Sequence, residues 1–151
     1  MSVHKIARII GIAVIASLVT LIPAPSIGVA SVSASARKGD LHVTKECSAY
    51  NGAAGSFCTI TYSNLETILI GSSVIYDQAA GIPAGLLDSN VVLDAGNGDR
   101  AVGRCTLDFS TARGLCTFSD GTGRFTGFQA RVEVSYLGPD WAWNGTYSFS
   151  R

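Results

Sequence analysis

Residues 121–150 read G-T-G-R-F-T-G-F-Q-A-R-V-E-V-S-Y-L-G-P-D-W-A-W-N-G-T-Y-S-F-S. Side chains of a strand point alternately to its two faces, so a period of two is the pattern to test. Phe128, Ala130, Val132, Val134 and Tyr136 fall on one face, and Gln129, Arg131, Glu133 and Ser135 on the other. A Gly138-Pro139-Asp140 turn follows. Beyond it Trp141, Trp143, Tyr147 and Phe149 share a face, with Gly145 as the gap between them. Two consecutive two-sided strands predict an antiparallel sheet with one dry face and one wet face. Both tryptophans of the chain lie on the dry one.

Working back from this pair, the four cysteines come next. Ten residues separate Cys47 from Cys58, and ten separate Cys105 from Cys116. Four cysteines allow three connectivities. The first interval holds Tyr50-Asn51-Gly52-Ala53-Ala54-Gly55 and the second Ser110-Thr111-Ala112-Arg113-Gly114, both rich in turn residues. Parity agrees with a staple inside each hairpin. Cys47 shares a face with Leu41 and Val43, Cys58 with Ile60 and Tyr62, Cys105 with Leu107 and Phe109, and Cys116 with Phe118. Pairs Cys47–Cys58 and Cys105–Cys116 are therefore expected. A zinc site is disfavoured because no C-x-x-C spacing occurs.

The remaining strands are expected at 40–47, 57–63, 68–76, 88–94, 101–109 and 114–119. Residues 78–87 are too rich in Gly and Pro for a central strand and read as a loop. Eight strands in up-and-down order with short connections predict an all-β, eight-stranded antiparallel barrel, whose closure removes exposed edges. A two-sheet sandwich is the alternative architecture.

The N-terminal segment has a different character. Lys5 and Arg8 precede an uncharged apolar run at 9–22, Pro23 and Pro25 break it, and small residues continue to Ala34-Ser35-Ala36. This is the pattern of a secretory signal peptide, and the run is short for a spanning helix of ~20 residues. Cleavage is expected after Ala36, with Ala34 or Ala30 as alternative ends. The domains are then 1–36, signal peptide, and 37–151, barrel. The protein is expected to be secreted, with no stable membrane anchor after cleavage. The exported part keeps 9 of 11 basic residues and all 11 acidic ones, a formal charge of −2. That balance speaks against a nucleic-acid partner, which calls for a basic stripe.

The run G-R-C-T-L-D-F-S-T-A-R-G-L-C-T-F-S-D-G-T-G-R-F-T-G-F-Q-A-R-V-E-V at 103–134 resembles bacterial secreted proteins with an allene oxide cyclase barrel-like domain. So do G-S-F-C-T-I-T-Y-S-N-L at 55–65 and W-N-G-T-Y-S-F at 143–149. The G-T-G-x-F turn recurs in dirigent-like barrels, and its combination with the two stapled hairpins is the more specific feature. The resemblance implies an eight-stranded barrel like those of plant allene oxide cyclases and dirigent proteins. Plant members form trimers and guide reactive intermediates through ring closure or coupling. A homo-oligomer, a trimer, is implied with the fold. No catalytic residue of the plant proteins carries over to a position here.

Catalytic motifs are sparse. His42 is the only histidine after residue 36 and falls on a wet face. There is no G-x-S-x-G elbow, phosphate loop or histidine metal pair. Residues 94–99 (D-A-G-N-G-D) lack the alternating ladder of a calcium loop and suit a tight turn. No metal and no cofactor is expected. Glu66, in a polar connection, would become an acid or base only if folded into the barrel mouth. That leaves Phe128, Tyr136, Trp141, Trp143, Tyr147 and Phe149, which either fill the barrel or line a site for a small apolar ligand. The expected role is small-ligand binding or an extracellular interaction. A cyclase or isomerase acting on an apolar intermediate is the alternative.

Overall fold

The computed structural model describes residues 37–81 and 85–150. The expected signal peptide at 1–36 lies outside the described residues, as do positions 82–84 of the expected loop. Eight strands run in chain order: β1 (Lys38–Glu46), β2 (Phe57–Ser63), β3 (Ser73–Tyr76), β4 (Leu86–Asp94), β5 (Arg100–Asp108), β6 (Arg113–Thr122), β7 (Phe128–Tyr136) and β8 (Trp141–Phe149). Each pairs antiparallel with the next, and β8 returns to β1 from Lys38↔Ser148 to Lys45↔Trp141. The sheet is thus a closed barrel with no free edge, and the sandwich alternative falls away.

Alternation makes the interior. Along β7, Phe128, Ala130, Val132 and Val134 are buried while Gln129, Arg131 and Glu133 are exposed. In β8 the inward series is Trp143, Gly145, Tyr147 and Phe149, and a Cβ on Gly145 would come within 2.0 Å of the Arg131 carbonyl oxygen. The missing side chain lets β8 press onto β7 between two large rings.

Several expected boundaries move for identifiable reasons. The strand expected at 68–76 shrinks to Ser73–Tyr76. Residues before it form turns instead, with Ile68 N donating to the Leu65 carbonyl and Ser72 N to that of Leu69. Leu65 and Ile68 thereby fold under the barrel and are buried. At the other flank of the expected loop, β4 begins at Leu86, with an isolated bridge to Gly81. The strand expected to end at residue 119 runs on to Thr122 as β6, before a 3-10 turn, Gly123–Phe125, inserts Phe125 into the core. Tyr62 leaves the face of Cys58 and Ile60. The β1–β2 register shifts there, with Thr44 opposite Tyr62 but Lys45 opposite Ile60, so one extra residue in β2 flips the parity.

Both expected disulfides are present. Cys105 and Cys116 face each other directly across β5 and β6, with Cα atoms 4.1 Å apart. Cys47 and Cys58 extend the β1–β2 pairing, with Cα atoms 4.2 Å apart. Each closes its own hairpin, and on chain-entropy grounds a loop this short contributes about 3 kcal/mol. Among the described residues no cysteine is free.

Candidate functional site

The barrel has two unlike ends. At the end where β7 starts and β8 finishes, aromatic rings plug the interior. Phe128 packs on Phe118, Phe125 and Phe149 with ring centroids 5.2–6.0 Å apart, and Phe118 leans on Trp143 at 5.4 Å. Trp143, Phe125 and Phe128 are fully buried. The interior here is filled by side chains, as small barrels are.

The opposite end holds both disulfides and a lysine. Lys45 lies on β1 in the inward register of Leu41 and Val43, and it is only 3 % exposed. Its Nζ donates to the Tyr76 hydroxyl at 2.5 Å, and it sits 4.6 Å from the ring centroid of Trp143 and 5.2 Å from that of Tyr76. These ring faces and one hydroxyl are the ammonium group's compensation. Among the described residues no carboxylate pairs with it. The two ion pairs among the described residues, Arg100–Asp94 and Arg104–Asp88, are on the outer wall.

Burial without a counter-charge disfavours the charged form, so the Lys45 amine is pulled down to about 7. The Tyr76 phenol is pushed up by the same burial, reinforced by neighbouring Tyr50. Tyr50 is also raised by burial. Near neutral pH the group is therefore an amine on the edge of losing its proton beside two phenols that keep theirs.

Above Lys45 is a cavity of about 40 Å³, lined by Tyr50, Tyr76, Leu107 and Trp141 and walled by both disulfides. Its outer lining is only partly buried, since Tyr50, Leu107 and Trp141 retain intermediate exposure. The Tyr50 hydroxyl oxygen is buried with no hydrogen-bond partner among the described residues. Tyr50 packs edge-on to Tyr76 at 5.0 Å and lies along Phe109 at 6.5 Å. A volume of this size admits the end of a chain or a very small molecule. It is far below the roughly 300–1,000 Å³ of sites that enclose a drug-sized ligand. Around the mouth, Leu86, Phe109, Tyr136 and Leu137 are exposed apolar residues at strand ends or in the adjoining turns.

The six aromatic residues expected to line a site are distributed across these regions. Trp141 lines the cavity. Trp143 is buried beneath Lys45, with its indole nitrogen unpartnered. Phe128 and Phe149 belong to the plug, and Tyr147 packs edge-on to Phe149 at 6.0 Å. Tyr136, the last residue of β7, is 52 % exposed and leans on Trp141 at 5.1 Å.

Other candidates are accounted for structurally. Glu66 is exposed at the plugged end, where its carbonyl accepts from Arg124. His42 is exposed and its Nδ1 lies 2.9 Å from the Asn144 side-chain oxygen. Asp94 accepts from Gly96 N and pairs with Arg100, which makes residues 94–99 a turn. No cluster of three or more His, Cys, Asp or Glu able to hold a metal occurs among the described residues.

Lys45 stands in the alternation that groups Cys47 with Leu41 and Val43, though its residue type does not mark it as inward. The signal was available: a lysine at an inward position of an otherwise apolar series. Tyr50 and Tyr76 were masked by their contexts, one in a turn and one at the end of an apolar run. Comparison of the chain with protein-family models, curated proteins and solved structures finds no match.

Proposed function

We propose that this chain is a secreted, disulfide-stapled barrel that binds a small, mainly apolar molecule end-on at its disulfide end. The ligand's tip, bearing one hydrogen-bond acceptor, enters beside Lys45 and Tyr50. Its apolar body rests on the lip formed by exposed Phe109, Tyr136 and Leu137 with half-buried Trp141. The observation that carries this reading is Lys45 itself, a buried amine with no counter-charge facing a cavity. A buried charge without a partner is costly to stability, and such groups concentrate at functional sites.

Export is supported by the N-terminal pattern of residues 1–36 and by the two disulfides, which are typical of extracellular proteins. No helix among the described residues is long and apolar enough to cross a membrane. Kinship with allene oxide cyclase-like barrels, and a trimeric assembly like theirs, form part of this proposal and rest on the resemblance of residues 55–65, 103–134 and 143–149.

A second reading has a specific observation behind it. With Lys45 near 7, a large fraction is free base at neutral pH, which suits a general base in a cyclase or isomerase. Both readings use the same end of the barrel.

Tryptophan emission tests the binding reading, because Trp141 lines the cavity and Trp143 lies under Lys45. Titration with medium-chain alkanones should give a saturable change that matched alkanes do not, and Lys45→Met should abolish the difference. Absence of any saturable change across the series would overturn the proposal. Recovery of rearranged product in place of unchanged ligand would select the enzymatic reading.

A further inference from the structure

We infer that Lys45 is a carbonyl-capture site: its amine condenses with a small aldehyde or ketone entering from the disulfide end, forming a reversible imine inside the barrel. This rests on the ligand-binding proposal and names the chemistry of its occupant. Three features of the cavity support it.

The first is the state of the amine. A lysine in an ion pair is held as ammonium, which has no lone pair to attack with. Among the residues lining this cavity Lys45 is the only one with a charged form at neutral pH, and no Asp, Glu, His or Arg joins it. The other titratable groups there are the phenols of Tyr50 and Tyr76, since the four cysteines are in disulfides. Both phenols stay protonated because burial raises them. The amine's own fall to about 7 agrees with this geometry. Desolvated lysines of this kind are the ones that form Schiff bases.

The second feature is the supply of proton donors. Tyr76 Oη is 2.5 Å from Lys45 Nζ. Its other neighbour, Cys58 Sγ at 4.0 Å, belongs to a disulfide and carries no proton, so that contact leaves the phenol free to donate elsewhere. The Tyr50 hydroxyl is buried in the same neighbourhood without a partner. A carbonyl oxygen placed above Lys45 would accept from these phenols.

The third is room and charge. About 40 Å³ accommodates a carbonyl group and little more, leaving the rest of the molecule on the lip. The iminium form would keep its positive charge over the Trp143 and Tyr76 rings that already face Nζ.

The step balances without an added oxidant or reductant. The amine lone pair forms a C–N bond as the carbonyl π pair moves to oxygen, which takes up the proton that nitrogen loses. Loss of the second nitrogen proton and cleavage of the C–O bond then release one water and leave C=N.

Propanal with cyanoborohydride traps such an imine irreversibly. The full chain carries only three lysines, and exposed Lys38, seven residues away on the same strand, is the internal reference. At pH 7 an amine near 7 is about half neutral, against less than about one part in a thousand for an ordinary lysine. Allowing for restricted access, peptide mass mapping should find Lys45 labelled at least about tenfold faster than Lys38 at pH 7. The ratio should fall toward unity by pH 10. Tyr50→Phe should slow the Lys45 label several-fold and leave Lys38 unaffected. If Lys38 is labelled as fast as Lys45 while propanal or an alkanone still changes tryptophan emission saturably, capture is refuted and the binding proposal stands. If neither labelling preference nor saturable emission change occurs, both fail.

Discussion

One end of this barrel is plugged by rings, and the other is stapled by sulfur around a cavity. At the plugged end Phe118, Phe125, Phe128 and Phe149 occupy the interior with centroids 5.2–6.0 Å apart, and turns carrying Leu65 and Ile68 complete the seal. At the disulfide end the inward positions go to Cys47, Cys58, Cys105 and Cys116, to Tyr76, and to a lysine. Disulfides hold strands together without needing the space between them to be filled. Aromatic packing holds strands together only by filling it. The difference explains how a barrel this small retains a cavity around a buried lysine: the covalent bridges supply stability where packing does not.

Truncating a ring at the plugged end should have the largest effect on stability. Phe128→Ala leaves a hole in a fully buried, four-ring contact and should cost about 3–5 kcal/mol in denaturant unfolding. A loss below about 1 kcal/mol would mean that the two ends are not built differently.

The pH dependence of stability sharpens the contrast from the other side. Lys45 has a folded-state value of about 7 against an ordinary value of 10.5. Between these values the unfolded chain binds more protons than the native one, so stability must rise with pH through that window. The penalty is complete below pH 7 and is relieved progressively above it. The gain by pH 10 is up to about 4 kcal/mol. Above pH 10 the trend reverses, because the buried phenols of Tyr76 and Tyr50 resist ionisation in the native state. Lys45→Met should flatten the rise. At pH 6 it should stabilise by about 2 kcal/mol, the relief of burying a charge less the cost of leaving the Tyr76 hydroxyl unpaired. A wild-type profile that is flat from pH 7 to 10 would contradict this assignment.

The staples give the third, comparable effect. Replacing Cys47 and Cys58 together by Ala should cost about 3 kcal/mol by the chain-entropy estimate. The test of the contrast lies in where the damage falls. Hydrogen exchange should accelerate in β1, β2 and β3 near Lys45 and Tyr76, while amides around Phe128 and Phe149 keep their protection. Uniform loss of protection would show the barrel yielding as one unit.

The strand walls of the barrel are far more legible in the sequence than the contents of its disulfide end. Phe128-Ala130-Val132-Val134 and Trp141-Trp143-Tyr147-Phe149 announce their faces through unbroken alternation, and the cysteine spacing announces both hairpins. Strand number and the closed architecture follow from such patterns, because burial of one face is a local property of each strand. Legibility failed where a single extra residue or a turn intervened. Simple alternation points Tyr62 inward because the additional residue of β2 has no signature in composition, and it extends a strand over Ile68 because an apolar run does not distinguish a strand from a plug. The site was hidden for a different reason. Lys45, Tyr50 and Tyr76 come from β1, a turn and β3, and only closure of the barrel brings an amine and two phenols to one cavity. Parity could have flagged Lys45 alone. Its partners are a product of topology.

The disulfide end houses an amine buried without a counter-charge among the described residues, and titrating that amine puts this to the most direct test. With lysine side chains carrying carbon-13 at Cε, nuclear magnetic resonance would follow Lys38 and Lys45 separately from pH 5 to 11, with Lys45→Met assigning the resonances. The Lys45 signal should shift with a midpoint near 7. A Lys45 midpoint in the ordinary lysine range, near about 10.4, would mean that the amine stays charged and solvated, and would contradict the account of this end of the barrel.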